Sequence, residues 1–250
     1  MSEETRKLDE GGAERPAEAA PAALRRRLAA RRLLRAETFY VAGLAAYSVL
    51  ALLAYHYAYF GWDLRAARAV QSIDLPGWFE FMYWTSWPGN GWTPHVLAFV
   101  TALLFFTRGR QSEAAALSLS AGGGALITRA FKMLVGRPRP SAELVGFAYA
   151  NNELSFPSGH VTFYVCYFGF LFFVAFALLP RDSWRRRVAL ALAALPVLLV
   201  GLSRVTLRAH WPSDVAGAYL LSGVWLAFSL EMYRRWKKHA TVERATSAAD

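Results

Sequence analysis

Residues 203–214, Ser-Arg-Val-Thr-Leu-Arg-Ala-His-Trp-Pro-Ser-Asp, place two arginines, one histidine and one aspartate between two long apolar runs. Charged side chains beside apolar runs are costly unless they are paired or solvated, so such a cluster is a candidate functional site. His210 and Asp214 are four residues apart, about one helical turn. The carboxylate could therefore hold one imidazole nitrogen and leave the other free to act as a nucleophile.

Pro212 and Ser213 predict a helix start, where an anion is favoured. A re-entry loop with solvated charges is the alternative for this stretch alone.

A second basic cluster lies at the end of an earlier apolar run. Lys132 falls near the end of that run, and the sequence Gly-Arg-Pro-Arg-Pro at 136–140 is predicted to end a helix and stiffen the exit. Lys132 and Arg139 can then point at one anion from a helix end and from an extended loop. Arginine donates two parallel hydrogen bonds to a phosphate, and lysine adds a compact charge. Interfacial snorkelling of both side chains is the alternative.

The third candidate is the sequence Pro-Ser-Gly-His at 157–160, which opens another apolar run. Ser158 and Gly159 at a helix N-terminus would present backbone N–H groups that can hold phosphoryl oxygens. Gly159 also permits close approach of a ligand to the backbone. His160 lies beside them as a proton donor. A helix cap without further function is the alternative for this stretch alone.

The chain as a whole has the composition of a membrane protein, because 55% of its residues are hydrophobic and 15% are aromatic. A helix needs about 20 predominantly apolar residues to cross the hydrocarbon core of a bilayer. The sequence therefore predicts an all-α fold, a six-transmembrane-helix bundle with an interfacial helical segment, 61–91, between helices 1 and 2. The predicted crossings are 40–60, 92–107, 114–135, 159–179, 188–202 and 215–230.

The charge distribution predicts how the chain is oriented in the cell membrane. The formal net charge is +10, and the basic residues cluster at the ends of apolar runs, which favours anionic lipid headgroups over nucleic acid as a partner. Residues 1–38 are predicted to be a basic cytoplasmic tail, largely disordered or a membrane-surface helix; 39–236 form the membrane domain, and 237–250 form a second cytoplasmic tail. Lysine and arginine in the tails and in the links 108–113 and 181–187 predict that both termini lie in the cytoplasm. Six crossings fit this prediction, because an even number returns the chain to the side on which it starts.

This topology predicts that the three candidate stretches share one side of the membrane. Residues 132–140 follow the third crossing, 157–160 precede the fourth, and 203–214 link the fifth to the sixth. All three would emerge on the outer face. We therefore expect a single site there.

Taken together, the three stretches match one known pattern: Lys132-x6-Arg139-Pro140, then Pro157-Ser158-Gly159-His160, then Ser203-Arg204-x5-His210-x3-Asp214. The chain resembles the type 2 phosphatidic acid phosphatase superfamily, which also includes the vanadium-dependent haloperoxidases. The resemblance spans roughly residues 40–236 and leaves the two tails uncovered. It implies that the membrane domain is a lipid phosphatase domain.

The resemblance also implies a role for each motif residue. His210 would attack phosphorus and form a phosphohistidine, with Asp214 fixing its tautomer. His160 would protonate the leaving oxygen and then activate water. The phosphate-binding residues would be Lys132, Arg139, Ser158, Gly159 and Arg204. Positive side chains would take the place of Mg²⁺, and the sequence offers no carboxylate cluster, so no metal or other cofactor is expected.

The expected activity is metal-independent hydrolysis of a phosphomonoester or diphosphate on a lipid. In a bacterial setting the resemblance suggests undecaprenyl diphosphate, phosphatidylglycerol phosphate or phosphatidic acid. The first is favoured because an outward-facing site suits recycling of a carrier lipid released there. The alternatives are a lipid phosphotransferase, a haloperoxidase-like vanadate enzyme, and a non-catalytic lipid-binding or transport protein.

Several other polar residues near the motifs are predicted to be peripheral. Arg137 and Arg208 are interpreted as exposed loop charges, so Arg137→Ala is expected only to weaken turnover. Arg129 lies one turn before Lys132 and either extends the basic cavity or pairs within the bundle. Residues 151–153, Asn-Asn-Glu, either gate the site or keep a loop soluble.

Overall fold

The computed structural model describes the backbone of residues 22–145 and 154–247, and the side chains of 37–145 and 154–238. The fold is all-helical, with 81% helix, and no strand occurs within the described ranges. In those ranges the α-helices are α1 (Ala22–His56), α2 (Gly61–Gln71), α3 (Trp78–Ser86), α4 (Thr93–Thr107), α5 (Gln111–Leu117), α6 (Gly123–Val135), α7 (Ala142–Val145), α8 (Gly159–Leu178), α9 (Trp184–Thr206) and α10 (Pro212–Ser247). The described chain divides into two units between Tyr40 and Val41, and the second contains all of α2–α10.

Four helical segments of the described chain are long and apolar enough to cross a membrane: Glu37–His56, Gly159–Leu178, Trp184–Thr206 and Pro212–Lys238. They coincide with the predicted first, fourth, fifth and sixth crossings. The predicted second crossing is α4, a shorter apolar helix of 15 residues. The predicted third crossing is α5 and α6, which a π-helical turn, Ser118–Gly122, joins into one helical run.

The π-helical turn explains how the small-residue stretch of this run packs. A π turn leaves backbone carbonyls without their usual partners, and the indole Nε1–H of Trp225 donates to the carbonyls of Leu119, at 3.2 Å, and Ser120, at 3.1 Å. Gly123 lies against the same indole, because a Cβ added there would be 2.3 Å from Trp225 Cζ2. The small residues therefore allow α10 to pack closely against the α5–α6 run.

Helix α9 extends past its predicted end, which corrects the position of part of the third motif. Ser203 and Arg204, predicted to lie in the link before α10, are helical, because α9 continues to Thr206. The N–H of Leu207 still donates to the carbonyl of Ser203 at 2.9 Å, so the helical hydrogen bonds continue through the motif. Pro196 lies inside α9, as a membrane helix tolerates. Arg204 is thus held on a rigid helix end.

The predicted interfacial segment is two helices, α2 and α3, followed by a 3₁₀ turn, Trp87–Gly89. Helix α3 packs along α9, and Met82 of α3 is fully buried. The opposite side carries exposed aromatic rings, with Trp84 66% and Trp92 82% exposed. Rings of this kind favour the headgroup layer. The segment therefore contacts the helix ends on one side and presents aromatic surface on the other.

The far end of α10 is fixed to α5 by a buried carboxylate. Glu113 is 1% exposed. Its Oε1 accepts hydrogen bonds from Lys237 Nζ at 2.5 Å and from Tyr233 Oη at 3.2 Å, and Arg110 lies 3.6 Å away. Because the charge is paired, burying it is tolerated.

Candidate active site

The three motif stretches meet where α6 and α9 end and α8 and α10 begin. Lys132, Arg139 and Arg204 lie close enough to His210 to affect its charge state, and the same three cations and His210 interact electrostatically with His160. His210 and Arg204 are buried, whereas the other three side chains are partly exposed. The structure therefore brings together two imidazoles and three cations that are widely separated along the chain.

The first motif is shaped by a glycine that ends α6. Gly136 has a φ of 65°, in the left-handed region that favours glycine, and its N–H donates to the carbonyl of Lys132 at 2.9 Å. The chain then leaves the helix axis and turns Arg137 inward. Lys132 Nζ donates to the carbonyls of Leu154 and, at 3.4 Å, Ser155. These bonds join the first motif to the chain that precedes the second.

His210 is held by a carboxylate and a hydroxyl on one side of its ring. Its Nδ1 lies 3.5 Å from Asp214 Oδ2 and 3.4 Å from Ser155 Oγ. The same Oδ2 accepts hydrogen bonds from Ser155 Oγ at 2.5 Å and from the Trp211 N–H at 2.8 Å. With Nδ1 facing these groups, Nε2 is the nitrogen that remains for a substrate.

The electrostatic environment keeps the His210 imidazole neutral. Burial lowers the pKa of His210 well below 6.5, and the charges of Lys132, Arg139 and Arg204 lower that pKa further. A lowered pKa favours the neutral imidazole at neutral pH. Only the neutral ring has a lone pair that can attack an electrophile.

Arg137 corrects the prediction of an exposed loop charge. Its side chain is 1% exposed, and its guanidinium contacts Asp214 Oδ1 at 2.7 Å, Asp63 Oδ2 at 2.9 Å and Ser213 Oγ at 2.6 Å. Its Nε donates to the carbonyl of Ala58 at 3.1 Å. The prediction was wrong because a buried arginine needs carboxylate partners, and both of these partners, Asp63 and Asp214, lie more than 70 residues away in the sequence. Arg137 thus fixes the carboxylate that faces His210.

Asp63, on α2, is a site residue that the sequence did not indicate. It is fully buried. Its Oδ1 accepts from the Ser213 N–H at 2.8 Å, and its Oδ2 accepts from Ser213 Oγ at 2.6 Å. Its Oδ2 also accepts from the Phe60 N–H at 3.2 Å, as a first-turn carboxylate of α2 would. That local role is the only signal in the sequence, and it does not reveal the contact with Arg137.

His160 contacts the 3₁₀ turn that follows α3. Its Nε2 lies 2.7 Å from Asn90 Oδ1. Gly89 packs against the ring, because a Cβ added there would be 2.4 Å from His160 Cδ2. Nearby, Arg204 donates from its guanidinium to Ser86 Oγ at 2.6 Å. The interfacial segment therefore forms one side of the site.

Ser158 and Gly159 lie at the start of α8, beside the third motif. The Ser158 N–H donates to the carbonyl of Asp214 at 3.2 Å. Ser158 Oγ is buried and has no hydrogen-bond partner among the described residues. Helix α8 begins at Gly159, so the first N–H groups there have no intrahelical acceptor. This hydroxyl and these amides can bind an anion.

The remaining polar residues lie at the margin or outside the described chain. Arg208 is partly exposed and has a φ of 58°, which is uncommon for a residue other than glycine. Arg129 is exposed on α6. Residues 151–153 lie outside the described residues, so the prediction of a gate there stays a prediction.

Residues 113–238 match the PAP2 superfamily, and this stretch contains all three motifs. The chain belongs to that superfamily. It is 30% identical over 127 residues to phosphatidylglycerophosphatase B of Bacillus subtilis (strain 168), a match that covers 50% of this chain and 60% of that relative.

Two solved structures share the fold. One is a transmembrane PAP2 type phosphatidylglycerolphosphate phosphatase from Bacillus subtilis, with a TM-score of 0.65 and 23% identity over 79% of this chain and 97% of that one. The other is LpxE of Aquifex aeolicus, with a TM-score of 0.53 and 22% identity over 69% of this chain and 96% of that one. The first likeness shows that the chain shares the fold of a transmembrane protein, and four helical segments of the described chain are long and apolar enough to cross a membrane.

Proposed function

We propose that this protein is a membrane lipid phosphatase that transfers the phosphoryl group of its substrate to His210 and then to water. The observation that carries the proposal is the surroundings of His210. Its imidazole is buried, burial and the charges of three nearby cations lower its pKa, and its Nδ1 faces Asp214. A nucleophile of this kind suits attack on the phosphorus of an anionic ester.

In the proposed first step, His210 Nε2 attacks phosphorus, a P–N bond forms, and the P–O bond to the lipid breaks. His160 donates a proton to the departing oxygen. In the second step His160 takes a proton from water, the water oxygen attacks phosphorus, and the P–N bond breaks to release inorganic phosphate. Asp214 stabilises the imidazolium that exists between the two steps.

The phosphoryl oxygens would be bound by positive side chains and by the start of α8. Lys132, Arg139 and Arg204 approach the site from a helix end, a loop and a second helix end. Ser158 Oγ and the N–H groups that begin at Gly159 complete the cradle. Cations positioned before the reaction stabilise the charge that moves onto these oxygens. A site of this kind supports hydrolysis without a metal ion.

The proposed topology has six crossings, with both termini in the cytoplasm and the site on the outer face. The helical run 111–135 is longer than the roughly 20 residues that a crossing needs. The run is not one continuous apolar α-helix, because the π turn interrupts it and because it carries Arg129 and Lys132. Helix α4 supplies the remaining crossing if the bilayer thins locally around it.

The proposed function predicts phosphate release from lipid phosphates in the presence of EDTA. The protein purified in detergent is assayed on phosphatidylglycerol phosphate, undecaprenyl diphosphate and phosphatidic acid. The likeness to phosphatidylglycerophosphatase B supports the first substrate, and an outward-facing site supports the second. Inactivity of the wild type on all three would contradict the proposal. A phosphorylated lipid acceptor in place of inorganic phosphate would identify a phosphotransferase.

Ser158→Ala tests whether Ser158 binds the phosphoryl group, because it should lower turnover without lowering stability. Ser158 Oγ is buried with no partner among the described residues, so removing it costs no hydrogen bond, and the melting temperature is expected to stay the same or rise slightly. A hydroxyl that binds the phosphoryl group in the transition state is worth about 1–3 kcal/mol, so kcat/KM should fall roughly 10- to 100-fold. Ser222→Ala, a buried serine on α10 away from the motifs, serves as the control. Unchanged turnover would remove Ser158 from the cradle.

A further inference from the structure

We propose that Asn90 is a positioning residue for His160, holding Nε2 so that Nδ1 is the nitrogen that gives and takes the proton. The proposal rests on the function proposed above, in which His160 is the acid and then the base. It assigns a role to the turn after α3, a part of the chain that none of the three motifs includes.

Two neighbouring residues of the turn restrict the His160 ring along its Cδ2–Nε2 edge. Asn90 Oδ1 lies 2.7 Å from Nε2. The backbone of Gly89 lies so close to the ring that an added Cβ would be 2.4 Å from Cδ2 and 3.1 Å from Nε2. Rotation of the imidazole would therefore break the hydrogen bond and bring the ring into the turn. The side chain is held in one orientation.

The turn itself is fixed by neighbouring hydrogen bonds, so Asn90 can hold the imidazole in place. The Asn90 N–H donates to the carbonyl of Trp87 at 2.9 Å, and the Asn90 carbonyl accepts from the Thr93 N–H at 3.1 Å. One turn earlier, the Thr85 carbonyl accepts from Tyr164 Oη of α8 at 2.6 Å. The turn is thus tied to the same helix that carries His160.

A carboxamide oxygen only accepts hydrogen bonds, so Nε2 must carry a hydrogen when it contacts Asn90 Oδ1. The hydrogen stays on Nε2 in both the neutral and the charged imidazole. The proton that leaves for the lipid oxygen, and the lone pair that later takes a proton from water, therefore belong to Nδ1. Hydrogen bonds of this kind select the tautomer of a functional histidine.

An uncharged hydrogen-bond acceptor also suits a histidine that must act first as an acid and then as a base among the charged groups that face it. These are the cations Lys132, Arg139 and Arg204, with the neutral imidazole of His210 beside them; the three cations disfavour an imidazolium. Asn90 Oδ1 supports the imidazolium without adding a negative charge. A carboxylate in the same place would stabilise the imidazolium much more strongly, so it would make the acid weaker and the base less available at neutral pH.

Three variants test the proposal in the full-length protein in detergent. Asn90→Ala is expected to lower kcat about 10- to 100-fold, as loss of a supporting hydrogen bond does, with KM within a factor of about three. Asn90→Asp keeps the acceptor and adds a charge, so the alkaline limb of its kcat–pH profile should move to higher pH. Gln71→Ala is the matched control, because Gln71 is an amide on the same segment that donates to the Val205 carbonyl at 3.1 Å. It should leave kcat and the pH profile unchanged.

A structural readout keeps this inference separate from the proposed function. In isotope-labelled histidine NMR spectra, with His160 assigned through His160→Gln, the wild-type ring should carry its hydrogen on Nε2, and Asn90→Ala should give a mixture of tautomers. Wild-type kcat in Asn90→Ala, an unshifted profile in Asn90→Asp, or an unchanged tautomer would each overturn the inference. An inactive wild type with the expected tautomer change would overturn the phosphatase proposal and leave the Asn90–His160 link standing.

Discussion

His210→Ala is expected to abolish phosphate release from every lipid that the wild type hydrolyses. Without Nε2 there is no nucleophile and no covalent intermediate, and a water molecule cannot replace a positioned imidazole. Losing such a nucleophile lowers kcat by about 10⁴-fold or more. Some loss of stability is expected as well, because the variant removes a buried ring that contacts Asp214 at 3.5 Å and Ser155 at 3.4 Å.

The measurement for His210→Ala combines turnover with detection of the intermediate. Wild-type protein quenched during turnover should carry an acid-labile phosphate on histidine, and the variant should carry none. His95→Ala is the control, since His95 is exposed and packs beside Trp92. Phosphate release that persists unchanged in His210→Ala would show that another protein in the preparation supplies the activity.

Arg137→Met is expected to destabilise the protein and to inactivate it. The substitution leaves two buried carboxylates, Asp63 and Asp214, without the cation that contacts them at 2.9 Å and 2.7 Å. Breaking a buried ion pair by removing one partner costs about 3–5 kcal/mol. Activity should fall as well, because Asp214 would no longer be held against His210.

Thermal unfolding and turnover of matched variants test the role of Arg137. Arg65→Ala, on the exposed side of α2, is the control and should behave like the wild type. The double variant Arg137→Met, Asp63→Asn should recover part of the stability that Arg137→Met loses. It removes the negative charge of Asp63, which Arg137→Met leaves buried without its cation. Wild-type melting and turnover in Arg137→Met would contradict the network.

The sequence predicted the four long apolar helices, and it brought the motif residues forward as candidates, because both depend on local patterns. Apolar runs mark α8 and α10, and the stretches 157–160 and 203–214 carry their residues at short spacing. Arg137 was misplaced because its partner Asp63 is 74 residues away, and no pattern near either residue indicates that contact.

The same reasoning explains why Asn90 was missed. It lies 70 residues from His160, in a segment whose dense tryptophans predict contact with headgroups. That prediction describes one side of the segment only. The other side is determined by packing against α8 and α9, and packing between distant elements depends on the folded structure rather than on local composition.

The buried network behind His210 also has a definite charge. Asp63 and Asp214 share the single guanidinium of Arg137, so with both carboxylates ionised the three groups together carry one excess negative charge. Phosphorylation of His210, as proposed, would place one positive charge on the imidazole beside them. The imidazolium and the network behind it would then be neutral together while the intermediate exists. The network is already built in the free protein, so it favours formation of the intermediate.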